Sequence, residues 1–150
     1  MPLVNNGDII KGLGFVALYA AYLEEQIDDL LFMLQPIEPY PEAEQRWQIS
    51  LKISKASKLL TTLEFGYQAT LLADLALVRE LFKRRNEIVH GRIYANFGRS
   101  DTLKSGRPNV PEREVDAAEL YELANKLDFA RSAILGPMIF QLPRALQTPQ

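Results

Sequence analysis

Apolar residues recur at three- and four-residue steps along most of this chain, and this spacing is the strongest constraint on its fold. Such a period places the apolar side chains on one face of an α-helix, where they can be buried against other helices. The pattern therefore predicts an all-α protein in which amphipathic helices share a core. The first stripe comprises Ile9, Leu13, Val16, Ala20, Leu23, Ile27, Leu30 and Leu34.

Residues that cap or break helices divide the first half of the chain into two elements. The first helix is predicted to begin with Asn6 or Asp8 as its N-cap and to end before Pro36. A second helix is predicted from about Glu42 to about Leu63, and the prolines before it predict a non-helical connection. The apolar stripe of this second helix is Ile49, Ile53, Ala56, Leu60 and Leu63.

The third helix is predicted from Gln68 to His90, with Gly91 as its C-terminal cap. Arg85 falls at the helical phase of the apolar residues of this helix. An arginine on a core-facing line has to be paired, or has to face a cleft or a subunit interface. The other members of the stripe are Leu71, Leu75, Val78, Phe82 and Val89.

Residues 92–114 are predicted to form a long basic loop between the third and fourth main helices, with a short strand favoured from Ile93 to Phe97. The fourth helix is predicted to begin at Asp116, with Glu119 placed as in a capping box. Gly136-Pro137 is expected to kink or break it before a short C-terminal helix. We therefore expect an up-and-down four-helix bundle that forms a single domain over residues 1–150.

The composition restricts the chemistry that the protein can perform. The absence of cysteine excludes disulfides and thiolate metal ligands, and a single histidine disfavours a zinc enzyme. We therefore expect no metal and no other cofactor. No apolar run has membrane-spanning length, and the N-terminus lacks the pattern of a signal peptide. These features predict a cytoplasmic protein that has no membrane partner.

Positive charge is concentrated in one segment, although the formal net charge of the chain is −2. Residues 83–107 contain seven Lys or Arg residues and two acidic residues, and the lone histidine lies among them. RNA would meet the most positive potential of the chain here, although the cations could equally form a solvated loop. Tyr94 and Phe97 could stack on bases or pack beneath the loop. The candidate RNA-binding residues are Arg84, Arg92, Tyr94, Arg99 and Lys104.

Within this segment, the hexapeptide from Arg85 to His90 brings together side chains suited to chemistry on a phosphodiester. Arginine can hold a phosphate group, and histidine titrates near neutral pH. Asn86 and His90 are four residues apart, so they can touch on one face of a helix. Arg85, Asn86 and His90 are therefore the candidate catalytic residues.

This motif resembles that of the HEPN superfamily, in which an Arg is followed after four to six residues by a His, often with Asn, Asp or His directly after the Arg. The helix order is similar over the whole chain. The resemblance implies a metal-independent endoribonuclease that acts as a homodimer, with the two Arg85/His90 motifs facing a shared cleft. It also implies a toxin with an antitoxin partner, or an antiviral defence component. The first helix also resembles the opening helix of such domains, through Tyr19, Tyr22, Leu23, Glu24, Asp28 and Leu31.

The resemblance also implies a mechanism. His90 acts as general base on a ribose 2′-hydroxyl, Arg85 holds the nonbridging oxygens, and Asn86 orients the imidazole or contacts phosphate. The products carry 2′,3′-cyclic phosphate and 5′-hydroxyl ends. One departure concerns a Tyr that commonly lies two residues after the His in toxins paired with nucleotidyltransferase-type antitoxins. Arg92 occupies that position here, so regulation by modification of this tyrosine is not expected.

Other interpretations of the same residues stay open. His90 can be merely a favourable partner of the helix dipole, and Arg85 can pair with Glu24 or Asp28 of the first helix. At the level of function, the alternatives are a non-catalytic RNA-binding or protein-interaction module of HEPN type, and a helical structural partner in a larger complex. The acidic residues that could hold a metal or form a solvated helix face are Glu24, Glu25, Asp28 and Asp29.

Overall fold

The computed structural model describes residues 2–96 and 98–147, which are mostly helical. This confirms the prediction of a mainly α-helical protein. A small three-stranded sheet in the described residues shows that "all-α" was too strict. The helices are α1 Ile9–Met33, α2 Glu42–Gln45, α3 Ile49–Leu60, α4 Gln68–His90, α5 Ala117–Phe140 and α6 Leu142–Gln147. The strands are β1 Arg92–Tyr94, β2 Asp101–Lys104 and β3 Arg113–Val115.

The chain divides into two compact units, and the expectation of a single domain stays a prediction. The first unit comprises Met1–Ala20 and Leu81–Asp128, and the second comprises Ala21–Glu80 and Phe129–Gln150. Each unit has its own buried apolar side chains. In the first unit they include Val16, Phe82, Ile88, Leu103, Val115, Leu120 and Leu127. In the second they include Leu23, Ile27, Leu30, Ile53, Leu60, Leu71, Leu75 and Ile134.

Local capping chemistry accounts for the ends of the long helices. The Asp8 carboxylate accepts a hydrogen bond of 3.0 Å from the Lys11 amide, so Asp8 rather than Asn6 caps α1. Asp116 caps α5 in the same way, accepting a bond of 2.8 Å from the Glu119 amide. The predicted bounds of α4, Gln68–His90, are confirmed. Gly136-Pro137 does not break α5, which continues through Pro137 to Phe140, and the alternative expectation of a kink there stays a prediction.

The predicted second helix is interrupted, which corrects its extent. A single turn, α2, is separated from α3 by residues 46–48, where Gln48 has an extended backbone (φ −62°, ψ 150°). The break lets the Glu44 carboxylate lie 2.6 Å from Lys55 Nζ. In one continuous helix, eleven residues would separate these groups by about 16 Å along the axis. The ion pair therefore requires the break.

The segment predicted as a loop folds as an antiparallel sheet with the order β1-β2-β3. Its inner face carries the buried side chains of Leu103 and Val115, while charged residues alternate with them. Gly91 directly follows the last residue of α4 and connects this helix to the sheet, and its backbone is not in the left-handed conformation that a glycine cap often adopts. Glycine is needed there because a Cβ would lie 2.6 Å from Leu103 Cδ1 and 2.8 Å from the carbonyl oxygen of Glu87.

Candidate active site: a cavity around His90

The last turns of α4 place Asn86 and His90 on one side of the helix, where both line a cavity of about 570 Å³. Its opposite wall is the connection between β2 and β3, and His90 itself is exposed. The structure therefore brings together two of the three candidate catalytic residues. The complete lining is Lys83, Asn86, Glu87, His90, Ser105, Gly106, Arg107 and Val110.

Arg85, the third candidate, does not belong to the described lining of this cavity. Five residues of an α-helix separate the directions of Arg85 and His90 by about 140°. The Arg85 guanidinium instead reaches its neighbour, with Nη1 donating a hydrogen bond of 2.9 Å to Asn86 Oδ1. Its Nε is buried and has no hydrogen-bond partner among the described residues. Arg85 is thus connected to the cavity through Asn86.

The position of Arg85 agrees with its place on the core-facing line of α4. Phe82 on one side and Ile88 on the other are both buried, which explains the burial of the Arg85 Nε. The alternative in which Arg85 pairs with Glu24 or Asp28 finds no support. Those two carboxylates lie 3.6 Å and 2.9 Å from Lys52 Nζ.

Arg113, which the sequence analysis did not single out, neutralises the acidic side of the cavity wall. Its Nε lies 2.6 Å from Glu87 Oε1, and its Nη2 lies 2.6 Å from Glu119 Oε1. The hydrogen bonds to Glu119, and then those to Glu87, raise the pKa of Arg113 above its ordinary value against the effect of burial. This residue ties β3 to α4 and α5. No local sequence pattern marks a contact that spans 26 residues.

Three of the predicted RNA-binding residues share the exposed outer face of the sheet. Arg92 pairs with Lys104 across the β1–β2 ladder, and Tyr94 pairs with Thr102 on the same face. Lys104 Nζ lies 5.0 Å from the centre of the Tyr94 ring, and 3.1 Å from Glu112 Oε1. An exposed aromatic ring between cations is suited to base stacking, although the ion pair of Lys104 with Glu112 reduces the local positive charge.

The other predicted RNA-binding residues lie elsewhere. Arg84 Nη1 lies 3.8 Å from Glu122 Oε1 on α5, so its charge is partly compensated. The pKa of Glu122 is lowered by its hydrogen bond from Lys126 and by the nearby charges of Lys126 and Arg84. Arg99 is exposed in the connection between β1 and β2. Phe97, the second predicted stacking residue, lies outside the described residues.

Two further findings bear on the class of site. Within residues 2–96 and 98–147, no group of three or more His, Asp or Glu side chains is placed to hold a metal ion. In the same part of the chain, no helix is both long enough and apolar enough to cross a membrane.

Comparison of the chain with protein-family models, with curated proteins and with solved structures finds no match. A proposal for its function therefore depends on the chemistry of the cavity and on the motif that lines it.

Proposed function

We propose that this protein is a metal-independent endoribonuclease of HEPN type. The observation that carries the proposal is the shared cavity of His90 and Asn86, which is also lined by the cations Lys83 and Arg107. An imidazole in a cavity that is also lined by cations can supply a general base and charge stabilisation for metal-free cleavage of a phosphodiester. The motif supplies the same side chains at the HEPN spacing.

In the proposed reaction, neutral His90 removes the proton from a ribose 2′-hydroxyl. The 2′-oxygen attacks the adjacent phosphorus, the bond from phosphorus to the 5′-oxygen breaks, and the 5′-oxygen takes up a proton. The products are a 2′,3′-cyclic phosphate and a 5′-hydroxyl. The resemblance gives Arg85 the part of holding the phosphate, and the hydrogen bond to Asn86 connects it to the cavity.

The proposal includes a homodimer built on an up-and-down four-helix arrangement of HEPN type. In that dimer the two motifs face a shared cleft, and the partner subunit's His90 protonates the leaving 5′-oxygen. A dimer supplies the general acid that one chain lacks, because the sequence has a single histidine. The biological setting that we propose is a toxin held by an antitoxin protein, or a component of antiviral defence.

The test is cleavage of a cellular RNA pool in EDTA by the wild type and by His90→Asn, with the product ends typed. We expect cyclic-phosphate ends from the wild type and a loss of roughly 100-fold or more in His90→Asn, since general base catalysis contributes that much. A matched control is Thr70→Asn, an exposed position on the same helix, which should keep full activity. Equal cleavage by wild type and His90→Asn would refute the assignment.

A second candidate function is RNA binding without cleavage, and the outer face of the sheet favours it. The juxtaposition of Tyr94 with Arg92 and Lys104 needs no catalytic group to be useful. RNA binding that is weakened by Tyr94→Ala but kept by Tyr94→Phe, in a folded protein that leaves every RNA intact, would select this function over the first.

A further inference from the structure

The charges around the His90 cavity come from two directions. Lys83 lies seven residues before His90 on α4, which places both on the same side of the helix. Arg107 belongs to the connection between β2 and β3, on the opposite wall. The carboxylate of Glu87 also lines the cavity, but Arg113 Nε lies 2.6 Å from it and compensates its charge. The cavity is therefore lined by a cationic side chain on each of two walls.

The loop that carries Arg107 has a defined local geometry. The Arg107 amide donates a hydrogen bond of 3.0 Å to Ser105 Oγ, which stabilises a turn at the cavity wall. Among the described residues, no carboxylate forms an ion pair with the Arg107 guanidinium. The five donors of this group form a planar fork that matches the oxygens of a phosphate.

Arg85 differs from Arg107. Its Nη1 is occupied by Asn86 Oδ1, its Nε is buried without a partner, and it does not line the cavity within the described structure. A guanidinium so placed can fix the orientation of Asn86, whose side chain does line the cavity. The N–H donors of the Arg85 guanidinium cannot easily bind a phosphate that also contacts His90.

We infer that Lys83 and Arg107 bind a phosphate of the RNA backbone in the His90 cavity, and that Arg85 is a positioning residue that acts through Asn86. The choice of ligand rests on the proposed function, but binding requires no cleavage. A cavity of about 570 Å³ lies within the range of sites for small ligands and can hold a phosphate together with its ribose. By this inference Lys83 and Arg107 hold the phosphate, whereas the motif alone implies that Arg85 holds it.

The single histidine provides a direct assay, because its imidazole protons give one unambiguous set of NMR signals. The wild-type protein is titrated with inorganic phosphate and, separately, with a 2′-O-methyl dinucleotide, which carries a phosphodiester but cannot be cleaved. We expect a saturable change in the His90 signals with both ligands.

The variants divide the cations into two classes. We expect Lys83→Gln and Arg107→Gln to raise the Kd of the dinucleotide about tenfold each, as removal of a charge-assisted hydrogen bond does. Arg107→Lys should keep part of the affinity, because it keeps the charge and loses the fork. Arg85→Gln should stay within about twofold of the wild type, as should the matched control Arg46→Gln, an exposed arginine outside the cavity.

Kinetics on RNA test the positioning role of Arg85. We expect Arg107→Gln to raise KM with a smaller change in kcat, and Arg85→Gln to lower kcat with KM unchanged. A wild type that binds the dinucleotide as expected but leaves RNA intact would sink the proposed nuclease and leave the phosphate site standing. Cleavage of RNA with dinucleotide affinity indifferent to Lys83 and Arg107 would overturn the inference alone.

Two further outcomes would overturn the inference that Lys83 and Arg107 bind a phosphate of RNA. A response to inorganic phosphate without any response to the dinucleotide would identify a small-anion site and overturn the assignment to RNA. Loss of dinucleotide binding in folded Arg85→Gln, with unchanged binding in Arg107→Gln, would return the phosphate to Arg85.

Discussion

Positively charged side chains differ in burial and in partners between the two units of this protein. In the unit that contains α3, Lys52 and Lys55 are buried, and carboxylates lie within 3.6 Å of both ammonium groups. In the unit that contains the sheet, Lys104 is exposed, and Arg107 lies at the wall of a cavity. Each lysine of the first pair connects α3 to another helix, because its buried ammonium group contacts carboxylates of α1 or α2. Lys104 is exposed but forms an ion pair with Glu112, whereas Arg107 forms no ion pair among the described residues and remains available to a ligand.

The comparison shows that a positive residue is informative about function only together with its burial and its partners. Lys55 Nζ contacts the carbonyl oxygen of Pro39 at 2.6 Å and both carboxylate oxygens of Glu44. It has no capacity left for an external anion. This fully satisfied cation lies outside the basic segment 83–107.

The largest expected effect on stability comes from breaking the buried arrangement. Lys55→Met should lower the free energy of unfolding by about 2–4 kcal/mol, because it strands Glu44 and the Pro39 carbonyl with no partner. Urea denaturation measures the change. The matched control is Lys58→Met, three residues away and 73% exposed, which should lower it by less than about 0.5 kcal/mol. Similar losses in the two variants would refute the contrast between buried and exposed lysines.

A smaller effect is expected for Arg113, which lies between the two extremes because it is fully paired but 37% exposed. Arg113→Gln should lower the free energy of unfolding by about 1–2 kcal/mol, since it removes charge-assisted hydrogen bonds to Glu87 and Glu119. Amide hydrogen exchange in β3 should be faster in Arg113→Gln than in the wild type. Arg99→Gln serves as control, and an equal loss there would show that the paired geometry contributes nothing.

The third prediction concerns pH and the buried network around Lys55. Burial, the hydrogen bond to Asp28 and nearby carboxylates raise the pKa of Tyr40 above its ordinary value. The folded state thus holds this proton more tightly than the unfolded chain. The stabilisation is fully present below a pH of about 10, the unfolded pKa of tyrosine, and is lost as the pH rises toward the folded pKa.

We therefore expect the free energy of unfolding to fall above about pH 10, with Tyr40 contributing at most about 1.4 kcal/mol per pH unit. The measurement is the difference between the wild type and Tyr40→Phe, which cancels the titration of the lysines. Tyr67→Phe, at an exposed position, should behave like the wild type. A wild type and a Tyr40→Phe variant with parallel pH profiles would contradict the assignment.

The smallest effect on stability is expected for the exposed cation of the sheet. Lys104→Ala should change the free energy of unfolding by less than about 0.5 kcal/mol, because its ion pair with Glu112 is solvated. It should nevertheless weaken RNA binding at low salt and reduce the salt dependence by about one counterion. Lys126→Ala, a half-exposed lysine of α5 in the same unit, is the control and should leave RNA affinity unchanged.

How much of the fold the sequence predicts depends on the range of the interactions involved. The bounds of α4 and the caps Asp8 and Asp116 depend on neighbouring residues, so they could be predicted. The break before α3 could not, because it serves the contact of Glu44 with Lys55, eleven residues away. The short strand expected at Ile93–Phe97 overlaps β1, but β2 and β3 were missed because they have three or four residues and are rich in charged side chains.

In the candidate site, too, the sequence predicts only the features that depend on neighbouring residues. The four-residue spacing on a helix predicts that Asn86 and His90 share a side, and both line the cavity. Arg107 and Lys83 were not assigned, because their place in the lining depends on how the β2–β3 connection folds against α4. The sequence does not predict that Arg85 lies outside the cavity lining, because a motif gives the spacing of residues but not the direction of a side chain.

Gly91 has a consequence for the mutations that this region can accept over evolutionary time. A methyl group at this position would meet Leu103 Cδ1 at 2.6 Å, a clash that a smaller residue at position 103 could relieve. It would also meet the backbone oxygen of Glu87 at 2.8 Å, and no second substitution removes a backbone atom. Chains that keep the sheet packed on the end of α4 are therefore restricted to glycine here. This restriction holds whether or not His90 takes part in chemistry.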